Sequence, residues 1–291
     1  MPQTRGFFNT YHKNMPFFER LLKDINHLVF SIKCILQHGR VKNVIVHPHY
    51  PSRKSTIYFT CRELGLQVTN KLKKKAVLGV YFDYATYRND HHSLQKLADQ
   101  GLKVLNIGSR NIGKNHIDEI HQQIFGYCTR IDPTKHVGKC VRKSDINALH
   151  DGIILECPIE KVEEGFIYQI LIDNKNDKGL FEDIRVAIVG KEIPLVNLKY
   201  RKPEDQFGHL STSDLVEAND VLSSEEIEKI NAFTNACNFE FGELDILRDN
   251  EDGRIYIIDV NDTPNNILKE GRKEKMEILG ESLHRQFLAH H

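Results

Sequence analysis

The pattern that most restricts how this chain can fold lies in residues 239–266, FEFGELDILRDNEDGRIYIIDVNDTPNN. Two apolar-rich runs flank an Asp-Gly pair at 252 and 253, a strong short-range signal for a β-hairpin. A three-residue loop, 251–253, with a left-handed glycine is a common closure and sets Asn250 opposite Arg254. Counting back along both strands then puts Asp245 opposite Asp259 and Glu243 opposite Asn261. Side chains alternate faces along a strand, so these four share one face, with opposed Cβ atoms about 4.5–5.5 Å apart. A register slip of one residue would send Asp245 to a diagonal position. Carboxylates this close repel one another, and a cation among them removes the penalty. Hard oxygen donors on a rigid hairpin suit Mg²⁺. The competing reading is a solvated hairpin face with ordinary surface charge.

The whole chain sets broader bounds. Its 291 residues suffice for two lobes, and 40 basic against 40 acidic residues leave no net charge to attract nucleic acid or a membrane surface. No stretch approaches the roughly 18 apolar residues of a spanning helix, and the first residues, MPQTRGFFNTYHKN, lack the apolar core of a secretion signal. The expectation is a soluble, cytoplasmic protein with no nucleic-acid or membrane partner. Six cysteines, at 34, 61, 128, 140, 157 and 237, include no CxxC pair, which argues for reduced thiols over a zinc ribbon or a disulfide framework.

Along the chain, residues 15–40 carry apolar side chains at helical spacing up to Gly39 and predict one long helix. Strands then alternate with helices: VKNVIVHP, LQVTN, AVLGVYFDYAT and LKVLNIGS as strands, with STIYFTCRELGL, HHSLQKLADQG and KNHIDEIHQQIFGY as helices. This alternation implies a parallel, doubly wound sheet over roughly residues 30–127. Ligands of such sheets sit beyond the carboxyl ends of strands, where His47, His49, Arg53, Lys54, Asp83, Arg110 and Lys114 fall. After Pro133 the texture changes to short apolar segments joined by Asp, Gly and Asn turns, the pattern of a largely antiparallel sheet. A helix, SSEEIEKINAFTNACNF, with Ser223 or Ser224 as its cap, leads into the hairpin, and another closes the chain.

Three segments, in order, resemble the ATP-grasp superfamily. The first is a strand bearing lysines, GKCVRKSD. The second is YQILIDNKNDKGLFEDIRVAIVGKEIPLVNLKYR, similar to the glutamate-ligase branch, and the third is the hairpin, which resembles an acidic-x(n)-acidic-x-Asn magnesium motif. The resemblance implies an α/β and α+β protein: a Rossmann-like pre-ATP-grasp lobe over 1–130 followed by an ATP-grasp domain over 131–291. It also implies ATP and Mg²⁺ as cofactors. Lys143, with Lys139 as second choice, would reach the nucleotide phosphates. Gln169, Ile170 and Leu171 would line the adenine slot, and Asp183, also on the nucleotide, would form an acid-x-Arg pair with Arg185. Arg185 and Arg201 would act on the reacting phosphate, and Asp245, Asp259 and Asn261 would bind the metal.

The implied activity is a carboxylate–amine ligase working through an acyl phosphate on small-molecule or peptide substrates. The alternatives are a small-molecule kinase using the same site and a non-catalytic nucleotide-binding regulator. Two departures stand out. The loop after the lysine strand, KSDINALHDG, has a single glycine, Gly152, so its backbone amides are less free to cradle phosphate; Ser144 or His150 substitutes as a donor, or the segment is a plain structural turn. Glu243 stands where ligases of the D-alanine type tend to carry arginine. Strand edges in the antiparallel part also leave room for a homodimer.

Overall fold

A computed structural model describes residues 3–5, 11–13, 16–39, 41–72, 75–88, 92–146, 149, 151–203, 212–265 and 271–289. His150 lies outside them. The chain forms two compact units, one built from 1–84, 88–107 and 262–291, the other from 85–87 and 108–261.

In the first unit, β1 (Gln3–Arg5) and β2 (Tyr11–Lys13) form a small antiparallel pair. Helix α1 (Phe17–His38) ends at Gly39, whose φ of 70° lets its N–H reach the Ile35 carbonyl at 2.8 Å, a left-handed stop open to glycine. Then come β3 (Asn43–Pro48), α2 (Thr56–Glu63), β4 (Gln67–Thr69), β5 (Leu78–Phe82), α3 (His92–Asp99) and β6 (Val104–Leu105). The four strands form a parallel sheet in the order β4-β3-β5-β6. Strand β5 is buried along its whole length, as the unbroken apolar run LGVYF requires. The segment expected to continue β6 turns away at Asn106, which adopts a left-handed φ of 59°.

The second unit begins with α4 (Lys114–Phe125) and continues through β7 (Gly138–Ser144), β8 (Ile153–Cys157), β9 (Phe166–Ile170), β10 (Phe181–Val189), β11 (Val196–Arg201), β12 (Thr212–Val216), the single turn α5 (Ala218–Val221), α6 (Ser224–Ala236), β13 (Phe241–Arg248) and β14 (Ile255–Asn261). The antiparallel part is two sheets, β8-β7-β9 and β12-β11-β10-β13-β14, where the sequence suggested one. Strand β12 has no counterpart in the sequence reading, because TSDLV is a half-exposed edge strand without an apolar run. Helix α6 starts with a capping box: Ser223 Oγ accepts from the Glu226 N–H, and the Glu226 carboxylate accepts from the Ser223 N–H. Helix α7 (Arg272–Leu283) and a π-helical turn, His284–Leu288, return the chain to the first unit.

The main core of the second unit lies on one face of the five-stranded sheet. Ile184, Val186 and Ile188 of β10, Leu244 and Ile246 of β13 and Val260 of β14 pack with Ile117 and Ile120 of α4 and Ile230 and Phe233 of α6. Burying each such side chain fully contributes about 1.5–3 kcal/mol, so this face anchors the sheet. Among the described residues, no helix is long and apolar enough to cross a membrane.

The hairpin differs from expectation in two ways that cancel. Its loop spans four residues, 250–253, because the Asp249 N–H bonds the Arg254 carbonyl at 2.9 Å. Asp249 accepts from the Glu251 N–H at 3.1 Å and Asp252 from the Arg254 N–H at 2.9 Å, side-chain bonds that shape the turn, while Gly253 takes φ 73°. A longer loop shifts Ile246 opposite Ile257, and a bulge then restores the count by leaving Ile258 without a partner. Asp245 therefore still faces Asp259, and Glu243 still faces Asn261.

Candidate functional site

The face of the five-stranded sheet opposite the core is charged. Cross-strand registers place Asn197, Arg185, Asp245 and Asp259 in one row, Lys199 and Asp183 in a row beside it, and Ala187, Glu243 and Asn261 in a row on the other side. Arg185 ties the acids together. Its Nε and Nη2 each donate to Asp245 at 2.6 Å, one to each carboxylate oxygen, and its Nη1 donates to Glu243 at 3.0 Å. Lys199 Nζ stands 3.8 Å from Asp245. Arg201 pairs with Asp183 at 2.6 Å, and Asn174 donates to the same carboxylate at 3.1 Å. Such buried ion pairs offset their desolvation only through this geometry and its added hydrogen bonds.

Asp245 and Asp259 face each other but titrate apart. Burial alone would push Asp245 up, yet Arg185 and Lys199 outweigh it and hold its carboxyl well below the usual range. Burial and the Asp245 charge together push Asp259 up to about 6. Asp259 Oδ1 is buried and has no hydrogen-bond partner. A buried carboxylate oxygen without a donor, facing a second carboxylate, is what a cation would satisfy. Asn261 adds an amide oxygen two residues along β14 on the same face. Among the described residues no group of three or more His, Cys, Asp or Glu could hold a metal, so the protein offers two acids and an amide here. That set fits Mg²⁺, which commonly takes few protein ligands.

A cavity of about 80 Å³ adjoins this face, lined by Val141, Ile170, Leu171, Ile172, Leu247 and Ile258 as apolar wall and by Thr129, Lys143, Gln169, Asn174, Asp183 and Arg201 as polar lining. Of the residues the sequence pointed to for nucleotide, Gln169, Ile170, Leu171, Lys143, Asp183 and Arg201 line this cavity, and Arg185 and Lys139 do not. Strand pairing sets Lys143 opposite Ile167 and Val141 opposite Gln169, so alternate residues of β7 turn toward the cavity. Burial lowers the Lys143 ammonium from its usual value, opposed by the nearby Asp259 charge. Lys139 is exposed, pairs in register with Glu156 and is absent from the lining.

Gln169 is anchored rather than free. It donates to Thr129 Oγ1 at 2.6 Å, and Asp118 of α4 accepts from both the hydroxyl and the N–H of Thr129 at 2.6 and 2.7 Å. The Ile170 N–H reaches the Thr129 carbonyl at 2.8 Å, which fixes the backbone beside the cavity.

Ser144 is buried, and its hydroxyl accepts from the Ile146 N–H at 3.2 Å, a local turn bond. Asp145 accepts from the Asn115 N–H at 2.8 Å in the first turn of α4, and Lys114 Nζ donates to the Ile146 carbonyl at 3.2 Å. The start of this loop is therefore pinned to α4, and Lys114 contributes positive charge felt by both Asp259 and Lys143. In the first unit, His49 lies 3.3 Å from Asp83, which also accepts from the Tyr81 hydroxyl at 3.2 Å.

Sequence reasoning missed Lys199, Asn174 and the Thr129–Asp118 anchor. Lys199 was findable, since it precedes Arg201 by two residues on one strand and so shares its face. The anchor is tertiary and carries no local signal.

No known family pattern matches the sequence, and no curated protein matches it. Solved structures do match the fold. The chain is similar to the ATP-grasp ligase PsnB complexed with a minimal precursor, with TM-score 0.58 and 12% identity over 84% of this chain and 99% of that one. It is similar to a RimK domain protein, ATP-grasp, from Sphaerobacter thermophilus, with TM-score 0.52 and 9% identity over 84% and 99% of the two chains. The D-alanine–D-alanine ligase of Bacillus anthracis complexed with ATP matches with TM-score 0.50 and 12% identity over 84% and 96%. A further PsnB structure, with TM-score 0.56, holds precursor, Mg and ADP. The chain has the ATP-grasp fold.

Proposed function

We propose that this protein is an ATP- and Mg²⁺-dependent ligase that joins a carboxylate to an amine or similar nucleophile through an acyl phosphate. One observation carries the reading: a cavity lined by Gln169, Ile170, Leu171, Lys143, Asp183 and Arg201 adjoins a sheet face on which Asp259 holds a buried, unpartnered carboxylate oxygen opposite Asp245. We assign 131–291 as the ATP-grasp domain and 1–130 as a Rossmann-like lobe preceding it; the parallel β4-β3-β5-β6 sheet supports the second assignment, while the compact units divide elsewhere, with 108–130 joining 131–261 and 262–291 joining the first unit.

The apolar wall from Val141 to Ile258 suits a flat base, and Lys143 and Arg201 supply cationic charge for phosphate oxygens. Asp245, Asp259 and Asn261 would hold Mg²⁺, which when bound neutralises phosphate charge and orients the terminal phosphoryl group. In the reaction a substrate carboxylate oxygen bonds to the γ-phosphorus as the bond to ADP breaks. The nucleophile then attacks the acyl carbon, phosphate leaves, and the nucleophile gives up its proton. Arg185, held by Asp245 and Glu243, supplies fixed positive charge near the oxygens where negative charge builds.

The precursor peptide named in the PsnB complexes makes a peptide the first substrate class to test. Glu243 is buried and committed to Arg185, which weighs against the standard D-alanine ligase reaction. The test incubates the chain with ATP, Mg²⁺ and peptides bearing free carboxylates, with and without amines. A ligase forms ADP and phosphate only when both are present. A phosphorylated single substrate would mean a kinase, and no turnover with retained binding a regulator.

A further inference from the structure

Helix α1 turns its more apolar side outward. The side facing its own unit carries Asp24, Phe30 and Cys34, all buried, and is tied down by polar contacts: Gln67 donates to the His27 carbonyl at 3.2 Å and to Ser31 Oγ, and Cys34 Sγ donates to the Gly65 carbonyl at 3.2 Å. On the opposite side Phe18, Leu22, Ile25, Val29, Ile32 and Leu36 are each between 44% and 81% exposed. Their spacings are four, three, four, three and four residues. A helix packed on a globular core shows a wider, less regular stripe, whereas strict alternation of three and four is the seam of a coiled coil.

We propose that this face pairs with the same face of a second copy, forming an antiparallel two-helix dimer about an axis near residue 27. In that register Leu22 of one copy meets Ile32 of the other, Ile25 meets Val29, and Phe18 meets Leu36, so every seam residue finds an apolar partner. The flanking positions complete the match. On one flank Glu19 meets Lys33 of the other copy, twice by symmetry, and Asn26 meets itself; on the other, Leu28 meets itself and Leu21 meets Ile35. A parallel pairing would set Lys33 against Leu28 and leave Glu19 without its opposite charge. Charge complementarity therefore selects a second copy, antiparallel, as the occupant.

Sedimentation of the full chain at micromolar concentration tests it. Wild type should sediment as a dimer, and Val29→Glu as a monomer with unchanged circular dichroism. Glu19→Lys should weaken the dimer about tenfold, and adding Lys33→Glu should restore it. Asn26→Cys, on the axis, should cross-link two copies under oxidation beyond the wild-type control. Glu19→Cys should not, because its copies would lie about 20 Å or more apart along the axis. A monomeric wild type, including one that instead binds lipid vesicles, would overturn the proposal. So would a dimer that survives Val29→Glu, or one that cross-links through position 19 and not 26.

Discussion

The two faces of the five-stranded sheet are made by the same strands and alternate residues, yet they behave as different materials. On one, Ile184, Val186, Leu244 and Ile246 are buried together against α4 and α6. On the other, Asp183, Arg185, Glu243, Asp245 and Asp259 crowd in three adjacent rows across β10, β13 and β14. The first face holds the fold together. The second is held in place by it and keeps an uncompensated carboxylate oxygen at Asp259. Strand alternation lets both properties sit one residue apart, so substitutions on the two faces should move stability in opposite directions.

Arg185 is the exception that would break that contrast, so its removal should have the largest effect. Arg185→Ala leaves Glu243 and Asp245 buried without their cation and should cost about 3–5 kcal/mol in urea denaturation at neutral pH. On the core face, Ile246→Ala should cost about 3 kcal/mol from lost burial and the cavity left behind.

Asp259→Asn should instead stabilise the ligand-free protein. The folded carboxyl is pushed up to about 6 from an ordinary 3.8, so the folded state favours its protonated form. The penalty is absent below the unfolded value, grows as pH rises between the two, and is complete above the folded one. The substitution should thus add about 2–3 kcal/mol above pH ~7 and almost nothing below pH ~4, read as denaturation midpoints across that range. Lys143→Ala should change stability least, since the desolvation of its ammonium and its attraction to Asp259 oppose each other, while raising the ATP dissociation constant about tenfold by calorimetry. Unchanged ATP affinity would move the phosphate contact away from Lys143.

The sequence made the charged face legible through a count that was right for incomplete reasons. The loop is one residue longer than the Asp-Gly signal suggested, and the bulge at Ile258 compensates. That bulge does leave a trace. In IYIIDVN the buried positions Ile255, Ile257 and Val260 are spaced two and then three apart, a change of parity that moves Asp259 and Asn261 to the site face. The parallel sheet was legible because buried strands such as LGVYF are apolar throughout. Strand β12 was not, since an edge strand with one solvated side needs no apolar run. Nor was the Asp118–Thr129–Gln169 chain, whose members join only when α4 and β9 come together. The helix α1 was legible as a helix, but its outward seam shows only once the burial of Asp24 and Cys34 fixes which side faces in.

The site is tested most directly by thermal unfolding of wild type and Asp259→Asn with ATP, ADP or GTP, each with and without Mg²⁺. Binding to the native state adds RT ln(1 + [L]/Kd), about 2.7 kcal/mol at a hundredfold excess over Kd. Wild type should show a rise in Tm that requires ATP and Mg²⁺ together, and Asp259→Asn should lose it. No shift with any nucleotide, or the same shift in the variant, would contradict the assignment of this sheet face to Mg²⁺-ATP.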